Sequence, residues 1–216
     1  MTEAGFLETT RDAYTARAAE YSGVFRDPLA EQPLDRALID TFTDLVKAAD
    51  AGPIADLGCG PGHYTAYLHA RGVPVFGIDL SPGMIEQARK EHAGLRFEVG
   101  SMFALDLADA GVGGVFSHYS IIHTPPERVH ELFDEFARIL APGGYVLLSF
   151  SATDDPSRFA EPYDHAVSLA YRWSTDMISA MLRQRGIVET ARLIFPGEQD
   201  LRRGFPRVFL LAGKAR

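Results

Sequence analysis

An apolar run, Pro53-Ile54-Ala55-Asp56-Leu57, leads without a break into Gly58-Cys59-Gly60-Pro61-Gly62, and residues 63–72 then read as a helix. Glycine loses more backbone freedom on folding than any other residue, so three in five positions need a local reason. That reason is a turn too tight, or a ligand too close, to admit a Cβ. A strand, a glycine turn and a helix in this order form the opening unit of an alternating α/β architecture.

The rest of the chain continues that alternation. Tyr14, Arg17, Ala18, Tyr21 and Phe25 recur at helical steps, with Thr9 or Thr10 placed to cap the helix they define. A second helix is predicted over 31–49, with Leu34, Leu38, Phe42, Leu45 and Val46 facing inward. After the strand 73–80, Ser81 caps and Pro82 opens the next helix. Residues 95–100 read as a strand, and residues 112–120 contain another. Thr124 and Glu127 have capping-box spacing ahead of a helix striped by Val129, Leu132, Phe133, Phe136 and Leu140. Residues 145–150 form a continuous apolar strand, as expected for one covered on both faces. Periodicity fails over 151–173, which reads as an inserted loop with one short helix. A helix over 174–185 precedes two strands that pair as an antiparallel hairpin. The predicted fold is α/β: a doubly wound, Rossmann-like, seven-stranded, mostly parallel sheet with a C-terminal antiparallel hairpin. In such sheets ligands bind beyond the carboxyl ends of the strands, which puts the glycine turn, Asp79, Ser101 and the 117–124 segment on one rim.

Composition narrows the function. A chain of 216 residues fits one domain with a small appendage. No apolar run reaches the ~18 residues of a membrane span, and the N-terminus lacks a secretory pattern. The single cysteine, Cys59, provides neither an internal disulfide nor a thiolate cluster for a metal. These features predict a soluble, cytoplasmic protein without a membrane span. A net charge of −8 argues against nucleic acid as a partner. Arg202, Arg203 and Arg207 read as a solvated edge. A homodimer is compatible with the sequence.

Which ligand the glycines serve follows from the carboxylates around them. A dinucleotide rests its pyrophosphate on such a turn, yet Asp56, at the end of the strand, would repel a phosphate and suit an ammonium group. Asp79, at the end of the next strand, is placed to accept both hydroxyls of a ribose. A nucleoside with an ammonium and no phosphate is S-adenosyl-L-methionine. Here the chain resembles the class I S-adenosylmethionine-dependent methyltransferases: "DLGCGPGHYT" is similar to their first motif, "GIDLSPGMIEQAR" to their second and "LAPGGYVLLSF" to the crossing after the site. Among them it is most similar to small-molecule enzymes of the ubiquinone and menaquinone type.

The resemblance implies that Asp56, Gly58 and Gly60 face the methionine part of the cofactor, that Asp79 binds ribose, and that Leu80 and Met84 pack on adenine. Ser101 and Met102 would meet the adenine edge, with Ser101 standing where the family usually has Asp. Residues 1–50 would form a helical lid whose Tyr14 and Tyr21 close over the cofactor. Residues 51–216 would be the S-adenosylmethionine-binding domain, with 151–173 inserted on the substrate side.

The methyl acceptor is less defined. His123, His118 and Tyr119 lie just past the fourth strand and are the candidates for base or acceptor-positioning group, with His123 preferred. His63 could touch the carboxylate end of the cofactor, whereas His69, His92 and His130 read as solvated helix residues. "HTPP" lacks the amide and aromatic of the DNA-amino methyltransferases, and no carboxylate between Val115 and Pro126 could hold a catechol enzyme's metal. The expected function is therefore metal-independent methyl transfer to an oxygen, nitrogen or carbon of a small molecule, releasing S-adenosyl-L-homocysteine. A cofactor-binding protein without transfer activity and a nicotinamide-dependent oxidoreductase stay open as alternatives.

Overall fold

The structure is a computed structural model and describes residues 3–24, 29, 32–155, 157–197 and 204–216. Two helices, α1 (Glu3–Val24) and α2 (Pro33–Ala49), precede the alternating part. That part runs β1 (Ile54–Leu57), α3 (His63–Ala70), β2 (Val75–Asp79), α4 (Pro82–Glu91), β3 (Arg96–Val99), β4 (Val112–His118), α5 (Val129–Ile139) and β5 (Leu140–Ser151). A hairpin, β6 (Ala160–Asp164) and β7 (Leu169–Trp173), comes next, followed by α6 (Thr175–Arg183), β8 (Ile187–Phe195) and β9 (Arg207–Lys214).

Seven strands form one sheet in the order β3-β2-β1-β4-β5-β9-β8. The first five run parallel, and β9 is antiparallel to both β5 and β8. The strand order reverses between β1 and β4, so the crevice for a ligand opens beyond Leu57 and His118. Alternate residues of β5 feed opposite faces. Val146, Leu148 and Phe150 join Leu132, Phe133 and Phe136 of α5 and Ile178 and Leu182 of α6. Leu147 points the other way, to Ile39, Phe42 and Val46 of α2. Gly114 permits that second layer, since a Cβ there would lie 2.9 Å from Val46 and 3.0 Å from Phe42. Among the described residues no helix is long and apolar enough to cross a membrane.

Several local expectations are corrected. Helix α1 begins at Glu3, so Thr9 sits inside it and donates to the Gly5 carbonyl at 2.7 Å instead of capping. Phe25 lies outside the described residues. Leu34 is 54% exposed, and the inner face of α2 is Asp35, Ile39, Phe42, Thr43 and Val46. The Thr124–Glu127 box does not form: residues 126–128 wind as a separate tight turn, and α5 starts at Val129 without a side-chain cap. The predicted loop over 151–173 contains the β6–β7 hairpin instead of a helix. Ser81 does cap α4, accepting from the Met84 amide at 3.1 Å.

Arg207 is not a solvated edge residue (Arg202 and Arg203 lie outside the described residues). Its guanidinium clamps Asp35 on α2, with Nη2 3.1 Å from Oδ1 and Nη1 closer still to Oδ2, and it stacks 4.1 Å from the Phe195 ring centre. Asp35 is 2% exposed. Removing one partner of such a pair strands the other, so Asp35→Ala should lower stability by about 3 kcal/mol. Urea denaturation would measure this, and a loss below about 1 kcal/mol would assign the pair a surface-like weight.

Candidate functional site

The site grows from the turn after β1. The amides of Gly58 and Cys59 both donate to the Ile78 carbonyl, at 2.7 and 3.1 Å, which ties the turn to the end of β2. Gly58 has φ +74°, and a Cβ there would fall 2.3 Å from the Ser120 Cβ, so only glycine fits. Gly60 has φ +54° and no atom within 4 Å of where a Cβ would be. It borders open space. The two glycines thus answer different demands, one a close approach of chain and the other a positive φ beside open space.

Asp79 lies beside that turn. Its Oδ2 accepts the Gly60 amide at 2.9 Å and its Oδ1 the Ser81 amide at 2.8 Å. Burial raises its pKa against those two amides, which favour the charged form. A carboxylate with one backbone donor on each oxygen keeps lone pairs free for two further donors at a fixed angle. Leu80 is partly exposed beside it, whereas Met84 is 1% exposed. Ser101 and Met102 lie half-buried after β3. Ser101 Oγ accepts the Phe103 amide at 3.3 Å, and Met102 packs against the main core.

Asp56 differs from its expected setting. It is 1% exposed beneath the turn and accepts the Thr65 hydroxyl of α3 at 2.5 Å. Burial, reinforced by the charge of Asp79, pushes its pKa up to about 7. The carboxylate therefore braces β1 against α3 and does not line the surface of the cleft. Cys59 is buried too, and burial followed by the Asp56 and Asp79 charges drives its thiol well above the usual range, which removes thiolate chemistry.

The histidines separate into three settings. His118 turns toward the α2 layer: Nε2 is 3.0 Å from the Tyr64 hydroxyl, and its ring neighbours are Phe116, Tyr119 and Phe209. Burial, then the Arg207 charge, pushes its pKa down to about 3, too weak a base for proton abstraction at neutral pH. His118 is therefore a half-buried partner of Tyr64 at the end of β4. His123 is 7% exposed, with Nδ1 2.8 Å from the Leu169 carbonyl of β7 and Nε2 2.9 Å from the Tyr14 hydroxyl of α1. A carbonyl can only accept, so Nδ1 carries the proton and Nε2 accepts from Tyr14. His63, expected near the cofactor, instead meets His92.

Tyr119 departs from β4 with φ +54°, an unfavourable conformation for an aromatic residue, held by its amide on the Ser149 carbonyl at 2.9 Å. Helix α1 covers this rim. Tyr14 meets Tyr21 edge-on at 5.9 Å, Thr15 Oγ1 bonds Ser81 Oγ at 2.9 Å, and Arg17 donates to the Ala166 carbonyl at 2.6 Å. A Cβ on Gly83 would sit 2.9 Å from the Thr15 carbonyl, so that glycine lets α1 cross α4. Thr15, Gly83 and His165, whose ring lies 5.1 Å from His123, join the rim without a local sequence signal beyond residue type.

Comparison with known proteins bears on this geometry. Residues 54–144 match the family described as methyltransferase domain. The chain is 34% identical over 118 residues to the biotin biosynthesis bifunctional protein BioHC of Cellvibrio japonicus, covering 54% of this chain and 23% of that one. It is 30% identical over 132 residues to malonyl-[acyl-carrier protein] O-methyltransferase of Pectobacterium atrosepticum, covering 60% and 51%. Trans-aconitate 2-methyltransferase of Rhizobium meliloti is 37% identical over 114 residues, covering 52% and 41%. The chain spans about half or less of the length of these relatives. A similar solved fold is 1,6-didemethyltoxoflavin-N1-methyltransferase of Burkholderia thailandensis, determined with 1,6-didemethyltoxoflavin and S-adenosylhomocysteine bound. It has a TM-score of 0.75 at 20% identity, covering 100% of this chain and 92% of that one. The matched span, residues 54–144, carries the glycine turn, Asp79 and the strands that hold them, and over that span the chain is similar to the methyltransferase domain family.

Proposed function

We propose that the protein is an S-adenosyl-L-methionine-dependent methyltransferase acting on an oxygen, nitrogen or carbon of a small, planar acceptor, with no metal in the transfer step. One observation carries this reading: a strand-end carboxylate, Asp79, held by the Gly60 and Ser81 amides beside a glycine that opens onto empty space. Bound there, the sulfonium cofactor would supply an already activated methyl group. The chain's own part is to hold, orient and exclude water. Asp79 accepts the ribose hydroxyls, Gly58 and Gly60 leave room for the methionine part, and Leu80, Ser101 and Met102 border adenine. Asp56 acts on the ammonium end from beneath the turn, through the field of its charge. Residues 1–50 act as lid, with Tyr14 and Tyr21 over the reacting groups.

The β6–β7 hairpin supports the planar acceptor. Tyr163 stacks edge-on to His165 at 6.1 Å, and His165 in turn to His123, giving an aromatic wall with one ring nitrogen already committed to Tyr14. The net charge of −8 and single cysteine favour a small acceptor in the cytoplasm over nucleic acid. Isothermal titration with S-adenosylhomocysteine tests the cofactor. Saturable binding is expected, weakened at least about tenfold in Asp79→Ala, since a charge-assisted pair of hydrogen bonds is lost. An unchanged dissociation constant would remove Asp79 from the site, and preferential binding of NAD would replace the reading altogether.

A further inference from the structure

We propose that His63, His92 and Glu91 form a binding site for one divalent transition-metal ion of the zinc class, outside the cofactor cleft. Each residue offers one ligand atom, and these atoms all lie within 4.8 Å of one another. The two imidazole nitrogens, His63 Nδ1 and His92 Nε2, are 3.3 Å apart with ring planes at 88°. A tetrahedral ion with metal–nitrogen bonds of about 2.0–2.1 Å needs its nitrogens about 3.3–3.4 Å apart. The histidine pair already has that spacing. Glu91 is exposed, and its carboxylate lies within 4.8 Å of both nitrogens.

The fold builds this arrangement from two helix ends. His63 is the first residue of α3, immediately after Gly62 with φ +85°. His92 is the first residue past α4, where φ −123° and ψ 57° turn its side chain off the helical spiral and alongside Glu91. Gly62 allows the ends to meet, because a Cβ there would lie 2.6 Å from Phe97 and 3.1 Å from the His92 ring. Phe97 then backs the His92 ring at 6.4 Å. On binding, the ring that donates in the His63–His92 hydrogen bond moves its proton to its other nitrogen, and both present a lone pair to the ion. Two imidazoles and a carboxylate suit zinc or cobalt and leave a position open to solvent.

The test uses the full chain without an affinity tag, stripped of metal by dialysis against a chelator. Cobalt(II) is titrated and followed by its visible ligand-field absorption, and zinc(II) by calorimetry. One equivalent of each should bind and raise the melting temperature. His63→Ala and His92→Ala should each weaken binding by more than about tenfold, Glu91→Gln by less, and the exposed His69→Ala on α3 not at all. His92→Gln, which keeps the side-chain volume, serves if the alanine variant unfolds. Absence of saturable binding, or binding that survives both histidine changes, would overturn the site. These residues are separate from Asp79, so failure to bind S-adenosylhomocysteine would leave this result standing, and the converse holds.

Discussion

Asp56→Asn is expected to stabilise the protein by roughly 2–4 kcal/mol at pH 8 and to leave it almost unchanged near pH 4. The carboxyl is 1% exposed and titrates at about 7 in the folded chain, against an ordinary value near 3.9. The folded state therefore holds its proton more tightly than the unfolded state. Stability is fully present below the unfolded value and falls as pH rises toward 7, where the folded carboxyl finally ionises. The gap between those two titration points sets the upper figure at about 4 kcal/mol. Asparagine keeps an oxygen to accept the Thr65 hydroxyl and has no charge to desolvate. Urea denaturation between pH 4.5 and 8 should show the native chain losing stability relative to the variant as pH rises, with the contributions of His118 and Asp79 common to both curves. Parallel curves would show that Asp56 has no raised titration. The same group links to the ligand. Above pH 7 its negative charge favours a cationic cofactor, so affinity for S-adenosylmethionine should rise through neutrality in the native chain and not in Asp56→Asn.

Much of the fold could be read from local pattern, because strands covered on both faces and amphipathic helices leave that pattern in consecutive residues. The stripe of Val129, Leu132, Phe133 and Phe136 is buried as its spacing requires. The capping box failed because Pro125 and Pro126 favour a tight turn that uses the chain before the helix can start. The hairpin over 160–173 was missed because polarity does not mark its faces: Glu161 is half-buried while Pro162 and Leu169 are exposed. Pairs distant in sequence were also hidden. Asp35 and Arg207 are 172 residues apart, and nothing near either one announces the other.

The turn of the candidate site was legible in its glycines and in Asp79, where backbone geometry restricts the choice of residue. It was less so for side chains whose direction depends on tertiary packing. His118 ends β4 and His123 lies five residues on, yet one faces Tyr64 and the other Tyr14. A five-residue difference along an irregular turn decides which one meets α1. Spacing alone carried no information about that.

His123→Ala should lower turnover by about 10²–10³-fold while changing cofactor affinity little, and Tyr14→Phe should do nearly the same. The Leu169 carbonyl fixes the proton on Nδ1, so Nε2 is the basic atom, and the Tyr14 hydroxyl donates to it. An acceptor hydroxyl or amine placed against Tyr14 can pass its proton to the phenol oxygen as the phenol proton moves to Nε2. The product is an imidazolium whose Nδ1–H still meets a carbonyl, so the new charge is stabilised where it forms. Two residues in one relay are not independent: the double variant should lose no more than about threefold beyond either single variant. A lid latch predicts a different split. If Tyr14 only fastened α1 over the cleft, Tyr14→Phe would weaken S-adenosylhomocysteine binding and leave the chemical step intact. Single-turnover rates and calorimetry on the three variants separate these cases. Additive losses, or full turnover in His123→Ala, would dismiss the relay; equal, non-additive losses confined to the chemical step would establish it.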